Sequence, residues 1–462
     1  MFRRSSPCLP AYDELGYGRA MGMHRHHLGQ ATLLAVAGFL ASCTITLGEP
    51  DAGSETSEPA TSVSVPTPSS SPPSGAQAPA ISAPGRLAIV DDGGSLFTTM
   101  ADGSDRVELV GTGDTALTAS QPAWSPDGTL LAWVVSDVPS ASITGAIVVA
   151  GPRGEDPIVT PTPFVPFYLS WSPTGDRVAF LGAGSDTSSS VQMGVLDLGD
   201  AQPQVRPVAA GDPFLYFAWA PDGKGVLAHA GFDRLERIDL AGGRPSPITS
   251  RPGLFATPDW SDDGRTLVYV ERGPDGEQRL VSVVNGKQPR TLVEGKGALS
   301  FVLTSDGRSV AYQMLGERDG DLFDRRPTEP RDGVHVVDLR SGVDRRVTSI
   351  RAMTFWWSPD GERLLTLAPE PASDGAIPFL WQVWDGQRVI DVAGRHSPTL
   401  VLLREYAPFF TQYAQSATPW SPDATAFAFP VTAPDGSSQI VVQEVGGEPS
   451  VIGDGVYVTW SP

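Results

Sequence analysis

The chain has 462 residues, with 33 Lys and Arg against 53 Asp and Glu, and its formal net charge is −20 at pH 7. A chain this acidic is disfavoured as a nucleic-acid binder, and also as a protein that lies flat on anionic lipid. The acidity instead suits an exported protein that has to stay soluble.

The N-terminal region has the pattern of an export signal. A short basic head at residues 23–27 precedes a mostly apolar run of ten residues, Ala31 to Leu40. A run of this length is typical of a signal-peptide core and is too short to span a bilayer. Met21 and Met23 are alternative start positions, because residues 1–22 are polar and carry no pattern.

The residues directly behind the apolar run, Leu40, Ala41, Ser42 and Cys43, resemble a bacterial lipobox. In such signals the chain is cut before the Cys, which is then acylated. We therefore predict a lipoprotein signal peptide at 1–42 and lipidation of Cys43; an ordinary signal peptide with a chance Cys is the alternative. Cys8 is the other cysteine, so the processed chain could form no intramolecular disulfide.

Residues 43–84 are dominated by Ser, Thr, Pro, Ala and Gly, as in TSVSVPTPSSSPPSGAQAPAISAP. Such a tract cannot bury enough apolar surface to fold, and its prolines keep it extended. We predict a disordered tether that holds the following domain off the membrane while the acyl chains anchor it.

From residue 85 onward one short motif, Trp-Ser-Pro-Asp-Gly, recurs in intact or decayed form at intervals of roughly 40 to 60 residues, which indicates a repeat architecture. The motif residues are Trp124, Asp127 and Gly128; Trp171 and Gly175; Trp219, Asp222 and Gly223; Trp260, Asp263 and Gly264; Asp306 and Gly307, after Leu303; Trp357, Asp360 and Gly361; Trp420 and Asp423; and Trp460.

Each motif reads as the turn of a β-hairpin. An apolar run follows it, such as Leu130 to Trp133, and aromatic or apolar residues often precede it. Pro presets its φ, Asp bonds to nearby backbone, and Gly takes the positive φ that ends the turn. A second turn signal, such as Asn285-Gly286, recurs out of phase with the first. Two turns in each period imply four strands, which is one blade of a β-propeller.

The fold class predicted for residues 85–462 is therefore an all-β, eight-bladed β-propeller. Seven blades remain an alternative, because the copy at Leu303 has lost both Trp and Pro. The Trp side chains are expected to pack between adjacent blades. A strand near 86–90 has no motif before it, and a strand near 456–460 has none after it, so pairing the two would close the ring.

These repeats resemble the WD40-like (PD40) repeats of the TolB-type propellers, whose signature is W-S-P-D-G followed by an apolar strand. The resemblance implies the fold. It does not imply one function, since the repeat occurs in translocation proteins, peptidase propellers and unassigned exported proteins. TolB carries an additional α/β domain ahead of its propeller and is not lipidated, whereas this chain has a linker there. The Tol–Pal role is therefore not transferred.

One segment, residues 399–419, interrupts the repeats. Tyr406, Phe409, Phe410 and Tyr413 fall at the spacing of a helical face, and Pro408 suits the first turn of a short helix. Two interpretations stay open. The helix caps a blade or plugs a mouth of the channel, or its aromatic face is exposed and docks a partner.

No catalytic motif is evident. A Gly-x-Ser-x-Gly elbow is missing from the sequence. His229, His335 and His396 fall in different repeats without ligand spacing, and the acids around Asp319 lack the calcium-loop pattern. We predict no enzyme, no metal site and no cofactor.

The functional hypothesis is a monomeric lipoprotein, exported to the cell surface or periplasm, that binds an unknown envelope protein as a scaffold. One alternative is a carbohydrate or small-ligand binding protein, or an enzyme, that uses the propeller channel. Another is an accessory subunit of an envelope peptidase or signalling system. Convergent acids, His or Arg at a channel mouth would favour the channel alternative, and an apolar mouth would favour the scaffold.

Overall fold

The computed structural model describes residues 81–111, 117–137, 145–183, 191–199, 203–208, 214–231, 233–253, 256–315, 333–370 and 378–462. The chain divides into two units, residues 1–44 and 45–462, and every described residue belongs to the second. The predicted signal peptide, the lipobox with Cys43, most of the tether and the acids around Asp319 lie outside the described residues.

The described residues form 31 strands, numbered β1 to β31 in chain order, and almost no helix. The paired strands run antiparallel, and most neighbours in a sheet are also neighbours in sequence. Six sheets contain four strands and one contains seven. The predicted all-β propeller class is thereby confirmed, whereas the number of eight blades stays a prediction.

We name the sheets A to G in the order in which they follow one another around the ring. Within each sheet the strands are given in pairing order, beginning with the strand that leads into the repeat motif. Sheet A contains β31 (Tyr457–Trp460), β1 (Arg86–Val90), β2 (Leu96–Met100) and β3 (Val107–Val110). Sheet B contains β4 (Leu117–Trp124), β5 (Leu131–Asp137), β6 (Gly145–Ala150) and β7 (Ile158–Thr162). Sheet C contains β8 (Val165–Trp171), β9 (Arg177–Ala183), β10 (Val191–Asp197) and β11 (Gln204–Val208).

Sheet D contains β12 (Phe214–Trp219), β13 (Gly225–Ala230), β14 (Arg234–Asp239) and β15 (Ser246–Thr249). Sheet E contains β16 (Asp259–Trp260), β17 (Thr266–Arg272), β18 (Gln278–Val284) and β19 (Arg290–Gly295). Sheet F contains β20 (Ala298–Leu303), β21 (Ser309–Leu315), β22 (Val334–Asp338) and β23 (Asp344–Thr348).

Sheet G contains β24 (Thr354–Trp357), β25 (Leu364–Pro369), β26 (Phe379–Trp384), β27 (Val389–Pro398), β28 (Ala426–Thr432), β29 (Ser438–Glu444) and β30 (Pro449–Asp454). The long strand β27 joins its two halves, since the end of β27 pairs with β28 at Ser397–Thr432 and Pro398–Val431. Trp420 forms an isolated bridge to Phe427 of β28.

The first and last described strands close the ring, as the sequence predicts. β1 pairs with β31 from Leu87–Trp460 to Val90–Tyr457. Backbone bonds continue beyond the ladder at both ends, since Ser461 N donates to Arg86 O at 2.8 Å and Val456 N donates to Val90 O at 2.8 Å. Sheet A therefore draws one strand from the end of the sequence and three from its beginning.

The repeat motifs form the hairpin turns between the first and second strands. In the copy at Trp124, Gly128 N donates to Ser125 O at 2.9 Å, and the Ser125 hydroxyl donates to Asp127 Oδ1 at 2.6 Å. Asp127 Oδ1 also accepts a bond from Thr129 N. Backbone bonds of the same kind are made by Asp222, Asp263, Asp306, Asp360 and Asp423. Positive φ values of 64° to 71° occur at Gly128, Gly175, Gly223, Gly264, Gly307 and Gly361.

The turns of neighbouring sheets also touch. A Cβ on Gly223 would lie 2.7 Å from Thr174 Oγ1, one on Gly307 would lie 2.8 Å from Ser261 Cβ, and one on Gly264 would lie 3.5 Å from Pro221. At Gly223 and Gly307 glycine is therefore required both by its positive φ and by the neighbouring turn, whereas at Gly264 the contact is an ordinary one and the positive φ alone favours glycine. These turns form a continuous ring on one face of the propeller.

Candidate functional site

The repeat tryptophans join neighbouring sheets. Five indoles donate to a main-chain carbonyl of the preceding repeat, and each acceptor is the residue just before the first residue of that repeat's motif; for Trp420 the acceptor lies in the other half of sheet G. The pairs are Trp124 to Thr459 (3.4 Å), Trp171 to Ala123 (2.9 Å), Trp219 to Ser170 (3.0 Å), Trp357 to Val302 (3.1 Å) and Trp420 to Trp356 (3.4 Å). Trp460 donates instead to Pro84 O at 2.8 Å. The indoles thus lie between adjacent repeats, as we expect from the sequence. The indole-to-carbonyl hydrogen bonds were not predictable from it.

Sheet E departs from this pattern. The Trp260 indole nitrogen is buried without a hydrogen-bond partner among the described residues, and Leu303 stands where sheet F would supply a Trp. Asp259 Oδ2 accepts a bond from Leu303 N at 3.0 Å. Burial nevertheless raises the pKa of Asp259 to about 7, because a carboxylate away from water is disfavoured.

The aromatic insert is helical in three short pieces. A π-helical turn spans Leu402–Tyr406, a 3₁₀ turn spans Ala407–Phe409, and helix α1 spans Phe410–Tyr413. Pro408 lies at the start of the 3₁₀ turn, where its missing N–H costs little. We call residues 399–417 the central plug.

Aromatic contacts seat the central plug against the ring. Tyr406 stacks on Tyr457 of β31, with ring centroids 3.7 Å apart and planes at 14°. Phe410 meets Phe355 of β24 edge to face at 4.8 Å, and Tyr413 meets Tyr168 of β8 edge to face at 5.4 Å. Edge-to-face and stacked pairs are favourable ring geometries beyond the area they bury.

Polar contacts extend the seat to further sheets. The Tyr413 hydroxyl donates to Gln121 Oε1 of β4 at 2.7 Å, and Gln415 Nε2 donates to Pro258 O at 2.7 Å. The Thr411 and Thr257 hydroxyls lie 3.4 Å apart. Helix α1 also contacts β12 and β20. The central plug therefore touches all seven sheets, which places it across one mouth of the channel.

This burial corrects part of the sequence interpretation. Tyr406 is 5% exposed and Phe410 is 6% exposed, while Phe409 and Tyr413 are half-buried. Of the two interpretations left open, the exposed aromatic face is therefore wrong for Tyr406 and Phe410, because both rings pack on the inner strands. Their spacing predicts a helical face but not whether that face points inward. Whether the remaining surface of the plug binds a partner stays a prediction.

One cavity beside the plug is small and mostly apolar. It measures about 40 Å³, and its lining combines aliphatic residues with aromatic side chains that include Trp356, Trp381, Phe410, Phe429 and Tyr457. Pockets that hold drug-sized ligands measure about 300–1,000 Å³ and carry convergent polar groups. This mouth therefore has the apolar character that favours the scaffold hypothesis over a channel ligand.

Two strained residues support the plug. Gln121 (φ 57°) and Tyr168 (φ 50°) adopt the left-handed region at bulges in β4 and β8, away from any hairpin turn. Gln121 Oε1 accepts bonds from both Tyr168 N (3.2 Å) and Tyr413 Oη (2.7 Å). Burial raises the pKa of Tyr413 above its ordinary value, so its hydroxyl remains a donor. Strain of this kind persists only where surrounding contacts enforce it, and the sequence carried no signal for it.

The histidines do not converge. His229 lies in sheet D, where burial lowers its pKa to about 4. His335 lies in sheet F, and its Nδ1 is 3.1 Å from Asp344 Oδ1, whose carboxylate also accepts the Tyr312 hydroxyl at 2.6 Å. His396 lies in sheet G, where burial lowers its pKa. Among the described residues no group of His, Cys, Asp and Glu could hold a metal ion.

The same part of the chain contains no helix with the length and apolar character needed to cross a membrane.

Comparisons with known proteins concern the fold. No family model and no curated protein matches the chain. Solved prolyl endopeptidases are similar to it with a TM-score of 0.51 at 14% identity, covering 74% of this chain and 50% of theirs. The β-propeller domain of the Trilobed protease from Pyrococcus furiosus is similar with a TM-score of 0.45 at 15% identity, covering 73% and 98%. TolB from Acinetobacter baumannii is similar with a TM-score of 0.37 at 15% identity, covering 75% and 82%. At such identities the likeness extends to the fold alone, and the TolB-type resemblance continues to rest on the repeat motifs.

Proposed function

We propose that this protein is a non-catalytic binding module, a β-propeller held at the bacterial envelope by a lipid on Cys43. Its role is to bind a protein partner through the faces of the ring. The tether at 43–84 gives the propeller reach from the membrane while the anchor restricts it to the surface.

The observation that carries this proposal is the filled channel mouth. Tyr406, Phe410 and Tyr413 occupy the position that a channel ligand would need, and they are held by stacking and hydrogen bonds to the inner strands. A cavity beside them is apolar and measures about 40 Å³. A propeller with this mouth closed still presents the loops of many strands on its faces, and binding residues are found disproportionately on such loops.

The anchor is tested by comparing Cys43→Ala with Cys8→Ala, a matched pair because these are the two cysteines of the chain. We expect the wild type and Cys8→Ala to sediment with membranes and to give a mature N-terminal peptide carrying lipid mass. Cys43→Ala should lose both the lipid mass and the cut before residue 43. A wild-type mature N-terminal peptide that carries no lipid mass would overturn the lipid-anchor part of the proposal.

The partner is tested on native cells. The lipidated protein is crosslinked on intact cells and captured, and the bound species are identified by mass spectrometry, with Cys43→Ala as the control for correct placement. A protein recovered in stoichiometric amount from the wild type alone supports the scaffold role. Recovery of a glycan or small molecule in place of a protein would contradict it and favour a ligand of the propeller.

A further inference from the structure

The charge of the propeller rim changes from one side of the ring to the other. The turns between third and fourth strands lie on the same face as the repeat motifs, which we call the motif face, because antiparallel strands alternate in direction. In sheets A and B these turns, residues 101–106 and 151–157, contain more acids than bases, and turn 445–448 of sheet G contains an acid and no base. Turn 285–289 of sheet E and turn 339–343 of sheet F contain a base and no acid.

The basic residues of sheets E and F lie together. Leu339 N donates to Arg308 O at 2.8 Å, which places turn 339–343 beside the motif turn of sheet F. From sheet E, Arg290 Nη1 donates to Leu339 O at 3.3 Å, and its Nη2 lies against Gly342. The basic side chains here are all exposed, and we call them the basic rim: Lys287, Arg290, Arg340, Arg345 and Arg346.

The acids nearest the basic rim are already engaged. Asp306 pairs with Arg308 at 3.2 Å, and Asp344 accepts the Tyr312 hydroxyl at 2.6 Å. Asp338 Oδ1 accepts hydrogen bonds from a serine in its own turn. In the described part of the chain no carboxylate lies within ion-pair distance of the basic rim. Its charge is therefore available to an external anion.

An apolar side chain stands within the basic rim. Val343, which lies between Arg340 and Arg345 in the sequence, is 47% exposed. Basic residues near an anionic membrane surface are attracted to it, and an apolar side chain among them can enter the boundary between headgroups and acyl chains. This combination fits a lipid surface better than it fits a polar acidic peptide.

The chain that leads from the tether joins the ring on the same face. Pro84 O accepts the Trp460 indole N–H at 2.8 Å, and Ser82 N donates to Glu444 Oε1 at 3.3 Å. Trp460 and Glu444 both lie at the motif-face ends of their strands. An anchor on the N-terminal side therefore pulls on the motif face, while the central plug lies at the other mouth of the channel.

We propose that the basic rim is a contact surface for anionic membrane lipid, and that the anchored propeller rests on the membrane through sheets E and F. The contact is confined to one sector of the ring, so it is compatible with a net charge that opposes lying flat. It leaves the central plug facing away from the membrane, where a protein partner can reach it. The inference rests on the proposed lipid anchor.

The contact is tested on vesicles, with an anchor that does not depend on acylation in the cell. Full-length Cys8→Ala protein is coupled through Cys43 to a maleimide lipid, in vesicles of phosphatidylcholine alone or in equal parts with phosphatidylglycerol. Phenylglyoxal, which modifies exposed arginines, is followed by peptide mass spectrometry. On anionic vesicles Arg345 and Arg346 should react roughly fivefold more slowly than on neutral ones, and high salt should abolish the difference. Arg404, an exposed arginine of the plug, is the internal control and should not change.

Charge reversal provides a second reading. In the double variant Arg345→Glu and Arg346→Glu, Arg290 and Arg340 should react equally on both kinds of vesicle, whereas in the control Arg404→Glu their protection should persist. Equal reactivity of the basic rim on anionic and neutral vesicles in the unsubstituted protein would overturn the proposal. So would protection by dissolved polyglutamate but not by vesicles, which would assign the rim to an acidic polypeptide. Either failure leaves the anchor itself untouched, because the comparison of Cys43→Ala with Cys8→Ala tests that separately.

Discussion

At the scale of single residues, the turn after Trp420 is the one repeat turn with alanine at the glycine position. Ala424 has φ 59°, where the other motif turns place glycine at 64° to 71°. In this region the Cβ clashes with the residue's own backbone, which costs roughly 1–2 kcal/mol. Glycine avoids this cost but loses more conformational entropy on folding, so that its net advantage over alanine is smaller.

Ala424→Gly is therefore expected to stabilise the protein by about 0.5–1 kcal/mol, measured as a higher midpoint in thermal unfolding. The reciprocal control is Gly361→Ala, which puts alanine into the equivalent turn at φ 71° and should lower the midpoint. Unchanged melting of both variants would show that the turn conformation contributes nothing to stability.

The raised pKa of Asp259 predicts that the free energy of unfolding depends on pH. Its pKa is raised by burial to about 7, with a smaller upward effect of the Asp262 carboxylate and opposing hydrogen bonds from the Leu303 and Trp260 amides. Between about pH 4 and 7 the folded state therefore keeps a proton that the unfolded state loses. Stability contributed by this group is present below about pH 4 and is lost as pH rises through about 7.

Urea unfolding at pH 5 and pH 8 measures this effect. The wild type should lose more free energy of unfolding over that interval than Asp259→Asn, whose amide stays neutral at both values. An identical loss in the two proteins would mean that another group accounts for the dependence.

At the scale of elements, the central plug contains two adjacent phenylalanines with different surroundings. Phe410 is 6% exposed and packs on Phe355 and Trp356, whereas Phe409 is half-buried. Phe410→Ala should destabilise the protein by about 3 kcal/mol or more, because it leaves a cavity among inner strands.

Phe409→Ala is the matched control. It should lower the free energy of unfolding clearly less than Phe410→Ala, as measured by chemical denaturation of both variants. Equal losses would argue that the plug is not seated as described. The comparison also separates packing from docking, since a residue that serves a partner would affect capture of that partner while leaving the denaturation midpoint in place.

Some elements of the fold were predictable from the sequence and others were not. The turns and tryptophans were predictable because their chemistry is local: Ser, Pro, Asp and Gly dictate a turn within five residues. The contacts of the central plug with the inner strands were not predictable, because Tyr413 bonds to Gln121, which lies 292 positions away in the sequence. The bulges at Gln121 and Tyr168 likewise arise from tertiary contacts, for which no residue type gives a sign. The indole bonds stayed hidden for the same reason.

At the scale of the whole molecule, the ring depends on β31. Removing residues 457–462 should expose the edge of β1, lower the cooperativity of unfolding and promote association through the free edge, visible in size-exclusion chromatography. Removing Pro462 alone is the control, because it lies outside the β1–β31 pairing. A truncated chain that elutes and unfolds like the wild type would show that β31 is dispensable.

The pairing of β1 with β31 also sets an order of events during biosynthesis. β1 is made long before its inner partner β31, since Leu87 pairs with Trp460. Contacts this far apart in sequence form late and slowly. If the chain is exported as proposed, β1 crosses the membrane before its partner, and the ring can close only after β31 has also reached the far side. Such a chain stays unfolded enough to pass through a translocase until β31 has been made. Synthesis or translocation that stalls before β31 would leave a propeller that has not closed and that proteases can cleave.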